Sequence, residues 1–300
     1  MSQEGRRDPI GGVFVAGAAL LFGGTVVLGK TDAVQAIPVT SMLTVRFGVA
    51  GLALGAVLLV SRRGLRPASG EWRWLLALGG VGYAAESTFF FQALGRGTAA
   101  TVTLLFYTYP VMVTLISAAF GLGVPGLLLI VSLLSAVAGT ALVVGSSGGL
   151  DITFAGIWFA FASALTFSVY LVTADQVVRR TGPLASAMWV SLSASVALAA
   201  YSAATGNAEV PEGDALLSIT AMGLLTAGAF TLLFLGLRRV GAVRTAIIAS
   251  LEPVAASVLA LVFLDEALRG GVLAGGLLIL GGAIAASLAR GVREPERAVP

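Results

Sequence analysis

Apolar residues fill this chain in ten long runs, near positions 10–29, 39–60, 74–95, 98–120, 124–146, 152–174, 184–204, 215–237, 242–264 and 270–289. A helix needs roughly 20 mainly apolar residues to cross a bilayer, so each run is long enough to span one. Most connections are a few residues long and leave no room for a soluble domain. The first run is not followed by an A-x-A-like cleavage site and a soluble chain, so it is expected to stay as a helix. The pattern predicts an all-α integral membrane protein.

Composition sharpens this reading. The chain is 57% hydrophobic and 11% charged, with a mean hydropathy of +0.97. A soluble domain carries about 25% charged residues because its surface faces water. Lipid is therefore the expected solvent. The 39 glycines suit membrane helices that pack backbone to backbone. With no Cys, disulfides and thiol chemistry are excluded; with no His, the commonest general base and zinc ligand are missing. No cofactor or metal is expected.

The net charge of +3 is explained by where the cations fall. With the N-terminus in the cytoplasm, Arg6, Arg7, Arg62, Arg63, Arg66, Arg73, Arg179, Arg180, Arg238, Arg239, Arg244, Arg290, Arg293 and Arg297 lie inside. Lys30, Arg96 and Arg269 lie outside, and Arg46 falls within a span. Cytoplasmic loops of membrane proteins carry such an excess. Both termini are expected in the cytoplasm, in a multi-pass protein of the bacterial inner membrane. The basic excess is a topology signal rather than a nucleic-acid patch.

The stretch "GTVVLGKT" (24–31) fits the phosphate-loop pattern G-x-x-x-x-G-K-[ST]. It ends the first apolar run, where a phosphate-cradling turn would have to form inside a membrane helix, with its Lys facing away from cytosolic ATP. A chance match is expected, and no ATP binding.

An internal repeat is visible at an offset of 143. "LGRGTAATVTLLFYTYPV" (94–111) aligns with "LRRVGAVRTAIIASLEPV" (237–254), pairing Pro110-Val111 with Pro253-Val254. Gly80, Phe91 and Gly139 meet Gly223, Phe234 and Gly282 at the same offset. Five spans per copy is an odd number, so the second copy would enter the membrane upside down, the signature of alternating-access transporters. The domains are expected at 1–148 and 149–300. Pro110 and Pro253 lie midway along the fourth and ninth runs, where each removes a backbone hydrogen bond and favours a kink. Such kinks either line a cavity or simply serve packing.

These features, together with "ASLEPVAASVLALVFLDEAL" (249–268), resemble the EamA branch of the drug/metabolite transporter superfamily. In that family a fourth helix carries a mid-span Pro, an acidic residue follows, and a Gly-rich fifth helix ends each half. Glu266 fills the acidic place in the second half, whereas Gly123 stands at the matching position of the first. Within the family the chain is similar to YddG-type exporters of aromatic and other neutral amino acids. The resemblance implies a central cavity lined by helices one to four of each half, with the fifth helices peripheral.

Charges inside apolar spans are costly and are paired or functional. Lys30, Arg46 and Glu86 are expected in the outer half of the first repeat, either as a structural ion pair or as an outer gate that also holds a zwitterion. Lys30 could instead snorkel to the interface. Glu252, near mid-membrane, is a candidate for binding an ammonium or a proton, or a packing residue.

Helical periodicity groups Tyr83, Glu86 and Phe90; Thr103, Tyr107, Pro110 and Thr114; Trp158, Thr166 and Tyr170; and Ser250, Pro253 and Ser257. These stripes are expected to face a mostly apolar cavity with a few polar points, although Trp158 also suits an interfacial belt. Trp72 and Trp74 are belt residues. Gly51-x-x-x-Gly55 and Gly271-x-x-x-Gly275 signal close helix packing within the fold or in a dimer.

No group of several carboxylates suggests divalent cations or polyamines, and no basic ring suggests phosphorylated substrates. A neutral zwitterion with an apolar side chain fits best, moved by a secondary transporter that works by alternating access. Export of cationic drugs is the other reading. A membrane-embedded protease would need a His or Lys base or paired aspartates, and a channel would need a filter or a charged ring.

Overall fold

In lipid the backbone has no water to bond, so each apolar run must satisfy its own N–H and C=O groups as helix. The computed structural model describes residues 8–97, 99–122, 125–146, 152–264 and 270–289. Among these residues the regular secondary structure is helical, beside an isolated antiparallel bridge between Gly97 and Ile152. The helices are α1 (Pro9–Gly29), α2 (Asp32–Gln35), α3 (Val39–Val60), α4 (Trp72–Ala77), α5 (Ala84–Leu94), α6 (Ala99–Phe106), α7 (Tyr109–Ala119), α8 (Leu127–Gly145), α9 (Phe154–Thr181), α10 (Pro183–Ala204), α11 (Gly213–Ala249), α12 (Glu252–Leu264) and α13 (Gly270–Leu288). Local chemistry sets several ends. The Asp8 carboxylate accepts from Gly11 N–H at 3.0 Å and the Thr153 hydroxyl from Gly156 N–H at 3.2 Å, each filling an orphan donor of a first turn.

Among the described residues, eight helices are long and apolar enough to cross a membrane. The third and ninth runs depart from unbroken helix. In the third, a π-helical stretch, Leu78–Tyr83, joins α4 to α5. A Cβ on Gly79 would collide with Ser193 Oγ and the Val190 carbonyl of α10, so only glycine lets the two backbones come this close. The ninth run starts inside α11, which kinks at Gly241 (φ 80°), and breaks again at Ser250-Leu251 before α12. The fourth run breaks at Tyr107-Thr108, between α6 and α7. Pro110 and Pro253 therefore sit in the first turns of α7 and α12, where a missing N–H costs nothing, rather than kinking continuous helices. The two breaks are separated by the repeat offset: 107-108 against 250-251.

Packing follows a reciprocal pattern. Gly48, Gly51 and Gly55 of α3 face Ser195, Leu192 and Met188 of α10, so these helices run antiparallel. Gly271, Gly275 and Gly282 of α13 face Ser146, Gly139 and Ser132 of α8, again antiparallel. Both small-residue motifs thus serve contacts within the fold. Gly11, Gly24 and Gly29 of α1 meet Val240, Leu225 and Met222 of α11, while α5 packs on α9 through Glu86–Ser163 and Phe89–Phe159. Shifted by 143 positions, α1 becomes the first part of α9 and the start of α11 becomes α4–α5, so these two crossings are equivalents.

The segment "GTVVLGKT" is helix through Gly29, with Lys30 capping the end, so its N–H groups are spent on the helix and form no phosphate loop. Glu266, Gly123 and Arg269 lie outside the described residues.

Candidate functional site: two facing helix breaks in an aromatic interior

The two breaks meet in the middle of the bundle. The Tyr109 hydroxyl, at the start of α7, donates to the Ala246 carbonyl of α11 at 3.3 Å. Tyr107, in the first break, is a side-chain hydrogen-bond partner of Glu252, the residue that opens α12. Ser168 of α9 donates to the Tyr109 carbonyl at 3.2 Å. Side chains from other helices thus bond backbone carbonyls beside each break, where membrane depth offers no water.

An unbroken series of rings crosses this region. Phe22 packs edge-on against Phe230 at 5.7 Å, Phe230 against Tyr83 at 5.5 Å, and Tyr83 against Tyr170 at 5.5 Å. Tyr170 stacks on Phe167 at 5.8 Å, which meets Tyr109 at 4.9 Å and Phe106 at 5.5 Å, and Phe106 reaches Phe90 at 5.4 Å. Rings at these spacings and edge-to-face angles attract one another beyond area burial. The Tyr170 hydroxyl is buried and has no hydrogen-bond partner among the described residues.

Three charged side chains enter this interior. Arg46 of α3 donates to Thr226 of α11 at 2.7 Å and to Thr25 of α1 at 3.3 Å, and its guanidinium lies 5.4 Å from the Phe47 ring. Glu86 of α5 is 7% exposed and accepts from Ser163 of α9 and from Ser87, both at 3.1 Å. Glu252 is bonded to Tyr107. Arg46 stands within electrostatic range of Tyr83, Glu252 and Glu86.

The expected direct Arg46–Glu86 ion pair is absent among the described residues. Hydroxyls from α1 and α11 satisfy Arg46 first, and hydroxyls from α9 and from α5 itself satisfy Glu86. Lys30 lies exposed at the end of α1, its carbonyl accepting from Gln35 at 2.9 Å.

Of the other sequence candidates, Tyr83, Tyr107, Pro110 and Ser250 are gathered into the interior or its walls. Thr103, Thr166, Pro253 and Ser257 are half-buried on the same helices. Phe90 joins at the edge, in a smaller apolar group with Leu94, Leu105 and Phe159. Trp158 does not join: it is 64% exposed and its ring pairs edge-on with that of the peripheral Phe154 at 6.1 Å. Its grouping with Thr166 and Tyr170 fails because, at about 100° per residue, Trp158 lies roughly 120° around α9 from Tyr170, opposite the continuous face that buries Gly156, Ala160, Ser163 and Ala164. Sequence reasoning missed Phe47, Phe106, Tyr109, Phe167 and Phe230. One signal was available for Tyr109, since the offset of 143 pairs it with Glu252 beside the repeated prolines.

A cavity of about 360 Å³ opens where α3 begins and where α5 and α10 end, lined by Thr40, Leu43, Ser87, Gln92, Tyr201 and Asn207 among others. The sequence candidates do not line it, but Ser87 adjoins Glu86.

The EamA-like transporter family matches this chain over residues 9–145 and 154–288. The uncharacterized inner membrane transporter YicL of Salmonella typhimurium (strain LT2) is 27% identical over 220 residues, covering 71% of this chain and 72% of that relative. A solved crystal structure of a protein superposes with a TM-score of 0.80 at 25% identity, over 94% of this chain and 99% of the other. With both halves of its apolar pattern matched, the chain belongs to the EamA-like transporter family and is a multi-pass membrane protein.

Proposed function

We propose that this transporter is a secondary carrier that moves aromatic or other neutral amino acids through the aromatic interior by alternating access. Ten spans in two inverted halves, 1–148 and 149–300, are the architecture this reading requires, with both termini on the cytoplasmic side of the inner membrane. The antiparallel packing of α3 on α10 and of α8 on α13, each pair related by the repeat offset, supports inversion. Two like halves give two states of nearly equal energy, and the broken fourth and ninth runs provide hinges.

The observation that carries the substrate reading is the mixture of chemistry around the breaks. A guanidinium (Arg46) can hold a carboxylate, Glu252 or Glu86 can hold an ammonium, and the ring series can hold an apolar side chain. One observation favours a second substrate class. Among the described residues the aromatic interior brings Glu86 and Glu252 together with Arg46, an imbalance that suits an amphipathic cation.

Counterflow in proteoliposomes separates the two. Vesicles preloaded with unlabelled L-phenylalanine accumulate labelled phenylalanine if the first reading holds. Accumulation with a preloaded cationic dye but not with phenylalanine replaces it by the second, and no counterflow with amino acids, sugars, nucleosides or cationic drugs refutes a carrier.

A further inference from the structure

We infer that Ser87 is a proton port that connects Glu86 to the aqueous cavity at the end of the bundle where α3 begins. The inference rests on the carrier reading and adds its coupling ion.

Geometry supports this in three ways. Both Glu86 (7% exposed) and Ser87 (5% exposed) are buried, but only Ser87 reaches the cavity wall. The Ser87 hydroxyl donates to Glu86 Oε2 at 3.1 Å, so one hydroxyl is all that separates a buried carboxylate from an open, polar space. The opposite oxygen, Oε1, is held by Ser163, which is fully buried, so no second route to water is evident on that side.

The step is a simple relay. A proton from hydronium in the cavity passes to Ser87 Oγ, leaving water, as the Ser87 hydroxyl proton passes to Glu86 Oε2. The serine keeps one proton and the carboxylate becomes a neutral acid. Protonation removes the negative charge that would hold a substrate ammonium, so the proton and the substrate compete for one group and arrival of one releases the other.

The surroundings of Glu86 are consistent with that role. Arg46 of α3 and Glu252 of α12 lie within electrostatic range, as do Tyr83 just before α5 and Tyr170 of α9. On α10, Tyr201 lies at the cavity wall, and α6 carries no titratable group. Asp175 and Arg179 pair with each other about three turns further along α9 than Ser163. Among the described residues no cation is bonded to Glu86 that would fix it as a permanent anion.

Two measurements test the port. The chain has no native Cys, so single cysteines can be placed cleanly. A membrane-impermeant maleimide added on the cavity side should label Ser87→Cys and Asn207→Cys at the cavity, but not Ala160→Cys, which is 0% exposed. Labelling of Asn207→Cys without Ser87→Cys overturns the port. In proteoliposomes enclosing the pH dye pyranine, an imposed L-phenylalanine gradient should shift lumenal pH in the wild type. Protons moved per phenylalanine should fall to zero in Glu86→Gln, whatever its flux. Phenylalanine counterflow without any pH shift in the wild type overturns coupling and leaves the carrier standing. Absence of counterflow overturns the carrier reading instead, and the thiol labelling then still decides whether the cavity reaches Ser87.

Discussion

The contact between α8 and α13 lends itself to a quantitative test, because what blocks a side chain there is backbone. A Cβ built on Gly139 would lie 2.5 Å from the Gly275 carbonyl oxygen, 2.7 Å from Ile279 Cγ1 and 2.9 Å from the Ile279 nitrogen. A Cβ on Gly275 would strike the Gly139 carbonyl in return. Neither oxygen can rotate away, so alanine at either position must push the helices apart. Ordinary contact begins at 3.4 Å, so the axes retreat by about 0.9 Å, enough to forfeit roughly a quarter to a half of the dispersion energy across the local interface. Dispersion is the main attraction between helices in lipid, where no hydrophobic drive remains. The expected cost of Gly139→Ala or Gly275→Ala is about 1–3 kcal/mol. One separation relieves both clashes, so the double substitution should cost less than the sum of the singles by on the order of 1 kcal/mol. Unfolding midpoints in mixed detergent–lipid micelles, titrated with a denaturing detergent, measure all three. Singles that match the wild type, or a double that adds in full, would refute the reciprocal contact.

Gly241→Ala forces a methylated residue into φ 80° and should lower stability by about 1–2 kcal/mol in the same titration; an unchanged midpoint would mean that α11 can straighten there. Tyr170→Phe removes a buried hydroxyl that has no partner among the described residues, so stability should hold or rise by about 1 kcal/mol while phenylalanine counterflow falls several-fold; undiminished counterflow would remove that hydroxyl from the substrate path. Trp158→Leu, at a 64% exposed site, should change stability by less than about 0.5 kcal/mol and leave flux unaltered; a clear loss of flux would return it to the interior.

The helices were legible because lipid imposes one simple rule, a run of apolar residues closed on its own hydrogen bonds. Their interruptions were harder to read. Proline marks where an N–H is missing, but Pro110 and Pro253 lie two residues beyond the Tyr107-Thr108 and Ser250-Leu251 breaks, in turns where that absence is harmless. The π-helical stretch before Tyr83 depends on how closely α10 approaches Gly79, a tertiary fact that no local pattern contains. The site was legible in its charges and less so in its partners. Arg46 and Glu86 stood out as costly residues, yet the groups that satisfy them, Thr25, Thr226, Ser87 and Ser163, are ordinary hydroxyls scattered over α1, α11, α5 and α9. Phe47, Phe106, Phe167 and Phe230 were invisible for the same reason. A phenylalanine in an apolar run looks alike whether it meets lipid or another ring.

The two breaks explain how a duplicated scaffold acquires one-sided chemistry. Tyr109 and Glu252 occupy equivalent positions, each immediately before the proline that opens a half-helix. Tyr109 crosses to the Ala246 carbonyl of the other half; at the repeat offset, the matching partner of Glu252 would be Thr103. Glu252 instead bonds Tyr107. The backbone geometry is therefore shared, while divergence at a single position gives one half a neutral phenol and the other a carboxylate. In the proposed carrier, a solute held between the breaks would meet a carboxylate from one half and a phenol from the other. A binding site of this kind orients a zwitterion or a cation, which a fully symmetric pair of tyrosines could not do.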